Sequence, residues 1–89
     1  MARFEMTSAD IAGMGAQALG ADVLFQMGLD RSIGRDGAVD RVAAHMWFNL
    51  AAARGNREAA ARRLEIASEM TAVEVAEAQR RAREWILCH

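Results

Sequence analysis

Apolar residues along this chain recur three and four positions apart, and no stretch alternates one by one for the length of a strand. That spacing predicts four helices. The first covers residues 16–32. Leu19, Val23, Met27 (or Gln26) and Asp30 mark one row of it, and Leu24, Phe25, Gly28 and Leu29 supply the apolar face alongside. The second spans 41–54, the third 57–69 and the fourth 72–87. The fourth carries Val75, Ala78, Gln79, Ala82, Trp85 and Ile86 on one broad face, with Glu77, Arg80, Arg81 and Glu84 opposite. Glu77 and Arg81 stand four apart in the favourable order for an ion pair.

The breaks between these runs carry their own signals. Gly34, in "GRDG", is placed to take a left-handed cap, Asp40 to open the second helix, and Gly55, in "RGN", to close it. Thr71 with Glu74 three residues on is a capping box that restarts the chain. Gly28 inside a helix implies that another backbone passes close by. Residues 1–15 read as a loosely ordered arm. "TSAD" at 7–10 has the form of a helix start, but Gly13 and Gly15 follow, each costing up to ~1 kcal/mol against alanine. Phe4 and Met6 are available to lay that arm on the domain. Connections this short make sequential helices antiparallel hairpins. The fold class is all-α, a solenoid-like set of helical hairpins over 16–89 with four helices, preceded by the arm.

The second helix places its two bulkiest side chains, Trp47 and Phe48, next to each other among alanines. Neighbouring helical side chains diverge by about 100°, so the two rings cannot cover the same partner. Trp47 lines up with Ala43, Ala44, Leu50, Ala51 and Arg54, and Phe48 with Ala44, Ala51, Ala52 and Gly55. One wide apolar face results, which packs on the helix before and the helix after. Burying each ring contributes roughly 2–3 kcal/mol, against a total stability near ~5 kcal/mol for a domain of this size.

The stretch "DRVAAHMWFNLAAARG" resembles the second helix of the Sel-1-like repeats, relatives of the tetratricopeptide repeats. Asp40, Ala44, Trp47, Phe48, Ala51, Ala52 and Gly55 hold the family spacing, and "MG" at 27–28 with Gly34 stands at the first-helix positions. The resemblance covers about 21–64. Ala60 and Leu64 look like the opening of a second repeat whose second helix is replaced by a capping helix from Thr71. Asp30-Arg31 departs from the pattern, standing where the family has an apolar residue and a tyrosine, which makes that inner face more polar. The resemblance implies one and a half repeats and a binding role, as adaptor or scaffold for other proteins, without catalysis.

Composition narrows the chemistry. The 89 residues carry a net charge of −1, so the whole chain is no electrostatic attractor for nucleic acid, and 53% apolar content excludes disorder throughout. Every basic residue is arginine, which fits either biased codon usage or bidentate recognition of acids. Cys88 is the only cysteine, which excludes an internal disulfide and fits a reducing, cytoplasmic setting. Neither a signal pattern nor a membrane-length apolar run is present. His45 and His89 with Cys88 do not make a metal set, and His45 reads as a surface or rim residue. No catalytic constellation emerges and no cofactor is implied.

Two kinds of surface remain as candidates. Trp85, Ile86 and Leu87 cannot all face inward on one helix, so the C-terminal end needs a cover: the arm, a second copy or a partner. Phe25 and Leu29, rimmed by Asp30 and Arg31, raise the same question for a groove between the first and third helices. The expected function is a protein-interaction module binding a partner through that groove or through Trp85 and Leu87, with homodimerisation as a variant. The alternative is a nucleic-acid contact at Arg54, Arg57, Arg62 and Arg63 around the second turn.

Overall fold

The computed structural model describes residues 19–88. The arm at 1–15 with its Phe4, Met6 and "TSAD" start, residues 16–18, and His89 lie outside the described residues. Four helices follow in order: α1 (Ala21–Ile33), α2 (Arg41–Ala53), α3 (Arg57–Ala67) and α4 (Ala72–Cys88). Among the described residues there is no strand.

Local chemistry explains most of the boundaries. Asp40 caps α2, its Oδ1 accepting from the Ala43 N–H at 3.0 Å. Asn56 does the same for α3, accepting from the Ala59 N–H at 2.8 Å. The Thr71–Glu74 box closes in both directions: the Thr71 N–H donates to Glu74 Oε1 at 2.8 Å, and the Glu74 N–H donates to Thr71 Oγ1 at 3.1 Å. Gly34 ends α1 with φ 70° and ψ 41°, the left-handed conformation that other residues adopt only with strain. At the end of α2 the Gly55 N–H returns to the Ala52 carbonyl and the Asn56 N–H to the Ala51 carbonyl, a paired C-terminal closure. One boundary departs from expectation. α1 does not begin at 16, since Leu19 and Gly20 are not helical, and Gly20, extended at φ −73° and ψ 160°, is the residue before its first turn. Gly20 offers no side chain to cap with, so the local signal is faint.

The helices pack around α2. α1, α3 and α4 each make a packed pair with it, whereas α3 and α4, though consecutive, touch little. The Asp40 N–H donates to the Arg31 carbonyl at 3.0 Å, which holds the start of α2 against the end of α1, so the two run antiparallel. Arg41 of α2 meets Glu69, just past α3, at 3.6 Å, so α3 runs back along α2. α4 starts beside that point and reaches Arg54 near its end, with the guanidinium 6.0 Å from the Trp85 ring. It therefore runs parallel to α2. Ala44 and Ala51 of α2, Ala59 of α3 and Ala78 of α4 are all fully buried, and such small side chains let the helix axes approach closely.

The paired rings divide their work. Phe48 is 1% exposed and meets the Phe25 ring of α1 at 5.8 Å. Trp47 is half-buried and meets Trp85 of α4 edge-on at 5.6 Å. α2 was expected to touch the helix before and the helix after. It touches a third, and that third helix is the one Trp47 packs on. Gly28 also has a different reason from the one expected. A Cβ there would lie 2.5 Å from two carbons of the Phe48 ring, so a ring, not a backbone, fills the space. Beyond the core, Ala60 is half-buried but Leu64 is 70% exposed, so that face of α3 is left open.

Candidate functional site

A groove of about 230 Å³ opens between the end of α1 and α3, with α2 beneath it. Val39, Phe48 and Ile66 give it an apolar floor, and Ser32 closes one side. Arg41, Arg62, Glu65 and Glu69 form the rim. The rim is balanced in charge and partly paired with itself: Arg41 reaches Glu69 at 3.6 Å, and Arg62 reaches Glu58, outside the groove, at 3.6 Å. The Ser32 hydroxyl donates to the Leu29 carbonyl at 2.8 Å, which turns its Oγ back onto α1.

The residues expected for a groove between first and third helices lie elsewhere. Phe25 and Leu29 are half-buried and pack against the core, Phe25 on the Phe48 ring, and neither lines the opening. Asp30 accepts from Gln26 at 2.9 Å and pairs with Arg35 at 3.1 Å. Arg31 is exposed, and its backbone carbonyl serves the turn into α2. Only the floor residue Phe48 links these positions to the groove.

At the other end of the molecule Trp85 is half-buried, while Ile86 is 50% and Leu87 85% exposed. A second, open hollow of about 270 Å³ lies there, lined by Met46, Arg81, Glu84, Trp85 and Cys88. The four arginines around the second turn do not converge. Arg54 rests over the α4 tryptophan, Arg63 donates to Asn49 Oδ1 of α2 at 2.7 Å, Arg62 pairs with Glu58, and Arg57 is exposed. Their guanidinium groups are thus turned toward different helices.

His45 is a correction. It was expected at the surface, but it is 3% exposed, and its Nδ1 has no hydrogen-bond partner among the described residues. It stands one turn before Asn49, on the side where α3 presents Arg63. Burial, and then the positive charge of Arg63, push its pKa below the ordinary value of 6.5, so the ring is held neutral at pH 7. On the outer face of α4 the guanidinium groups of Arg80 and Arg81 hold the Glu77 carboxyl down at about 2 through direct hydrogen bonds. Arg80 also bridges to Glu84. These groups form an exposed ion-pair network on one helix.

Among the described residues no three His, Cys, Asp or Glu side chains gather as a metal site, and no helix is long and apolar enough to cross a membrane. No protein-family model, curated protein or solved structure matches the chain.

Proposed function

We propose that this protein is a non-catalytic interaction module, a small cytoplasmic adaptor or regulator built on one and a half Sel-1-like repeats. Its partner lays a short segment in the groove between α1 and α3. The groove itself is the observation that carries this reading. At about 230 Å³ it is smaller than the ~300–1,000 Å³ typical of small-molecule pockets, and it suits one large apolar side chain. The floor of Val39, Phe48 and Ile66 would take that side chain, and the rim of both signs would favour a segment with acidic and basic neighbours. Support for the repeat reading comes from the burial of Ala44, Phe48 and Ala51, from Asp40 as cap, and from Gly55 as stop.

Val39 lines the groove yet is 46% exposed, so Val39→Arg fills the groove without opening the core. Proteins retained from a native lysate by the wild-type chain are expected to be lost with this variant, at an unchanged melting temperature. Retention of the same proteins by both would overturn the groove reading. A second copy of the chain is one form the partner can take, and a monomeric mass by light scattering at high concentration would remove that form.

A further inference from the structure

The rim of the groove between α1 and α3 is not as neutral as its residues suggest. Arg41 meets Glu69 at 3.6 Å, and Arg62 is drawn to Glu58, outside the groove, at 3.6 Å. Glu65 also lines the groove and is exposed, but its carboxylate has neither an ion-pair nor a hydrogen-bond partner among the described residues. Arg63, the next cation on this stretch of α3, is turned onto Asn49 of α2 at 2.7 Å. Glu58, Glu65 and Glu69 thus stand against Arg41 and Arg62, and the carboxylate left over is the one inside the groove.

The backbone adds to the same sign. The C-terminal ends of α1 and α3 both lie at the start of α2, and a helix C-terminus carries partial negative charge. Arg31 stands in the last turn of α1 and offsets it there. The last turn of α3 has no basic residue and holds Glu65 itself. α2 begins between them, but the Asp40 carboxylate already occupies its first turn. Glu65 is also next in the chain to Ile66, which is buried and forms part of the apolar floor. The uncompensated charge is therefore set directly beside the seat for an apolar side chain.

We infer that the segment bound in this groove is basic: a large apolar side chain enters between Val39, Phe48 and Ile66, and a Lys or Arg on the same face of the segment pairs with Glu65. This rests on the groove reading above and narrows its rim to one sign. Residues about two apart in an extended segment, or three to four apart in a helix, share a face, so either conformation can present both groups. An acidic residue in the same place would meet Glu65 and Glu69, and would have to break an existing pair to find a cation. A rim charge of this kind acts mainly on the rate of association and its salt dependence.

A displayed library of random short peptides, selected on the full chain and depleted of those that also bind Val39→Arg, tests this. The remaining peptides are expected to combine a large apolar residue with Lys or Arg on one face. The same selection on Glu65→Lys is expected to put Asp or Glu in place of the base. Groove-dependent peptides with no basic preference, or with the same preference on both chains, would refute the inference and leave the groove standing. A library that yields no peptide sensitive to Val39→Arg would remove the groove reading, and this inference with it. One selected peptide, titrated against Glu65→Gln, gives a second reading from a variant that keeps side-chain size at an exposed position. Its affinity should fall roughly two- to five-fold, and its dependence on salt should flatten. Unchanged affinity and unchanged salt dependence would show that Glu65 does not meet the base.

Discussion

Gly28 and Phe48 form one steric unit. Alanine is ordinarily the better helix former by ~1 kcal/mol. Here the added carbon would enter the Phe48 ring at 2.5 Å, and that ring is 1% exposed and packed on Phe25. Overpacking a tight core costs about 1–3 kcal/mol, so Gly28→Ala is expected to lower stability despite the propensity gain. Urea unfolding at neutral pH checks the sign. Phe48→Ala should cost about 3–5 kcal/mol, enough to unfold much of the population. His45 makes a prediction about pH. Its folded pKa is lowered, so the unfolded chain binds the proton more readily. The stability that neutral His45 contributes is complete above the unfolded value of 6.5 and is lost as pH falls from there toward the folded value. The unfolding midpoint should drop between pH 7.5 and 5.5, above the range where carboxylates titrate. In His45→Leu that drop should disappear, and its persistence would place the proton elsewhere.

At the level of the helix, ends were easier to read than faces. Asp40, Gly34, Gly55 and the Thr71–Glu74 box act through bonds spanning three or four residues, and each is found in the expected role. Thr71→Ala should cost about 1 kcal/mol, whereas Glu74→Gln, which keeps an acceptor for the Thr71 N–H, should cost much less. Thermal unfolding of the two variants separates them, and equal losses would mean that the charge of Glu74, not the box, matters. The start of α1 was not legible, because Gly20 carries no capping side chain and Leu19 is held by the core. Faces were less legible. His45 lacks an apolar side chain to mark it as interior, yet it is 3% exposed on the side where α3 presents Arg63. The groove between the first and third helices is lined by Val39, Arg41 and Ile66 and not by Phe25 and Leu29. No local pattern reports that the end of α1 and the side of α3 stand apart over Phe48.

Across the whole molecule, α2 is the element on which the other three depend. α4 is held most lightly: along its 17 residues only the small side chains of Ala78 and Ala82 are buried, it packs less extensively on α2 than α1 or α3 does, and its ring contact with Trp47 is made by the half-buried Trp85. Elements with few buried contacts open at lower free energy than the core. Amide exchange should therefore be slower in α2 than in α4. Trp85→Ala should accelerate exchange throughout α4 while leaving α1 and α2 protected. Uniform protection over all four helices would show instead that the chain opens only as a unit.

The amino-acid sequence by itself determined that the chain is helical, where most helices start and stop, and that Phe48 is a core residue. These follow from hydrogen bonds and side-chain spacing within a turn or two, which the order of residues encodes directly. Only the tertiary structure decided which helix Trp47 meets, that His45 is enclosed beside Arg63, and where a groove is left open. Those outcomes depend on how three helices share the surface of a fourth, and that sharing is set by packing between residues far apart in the chain.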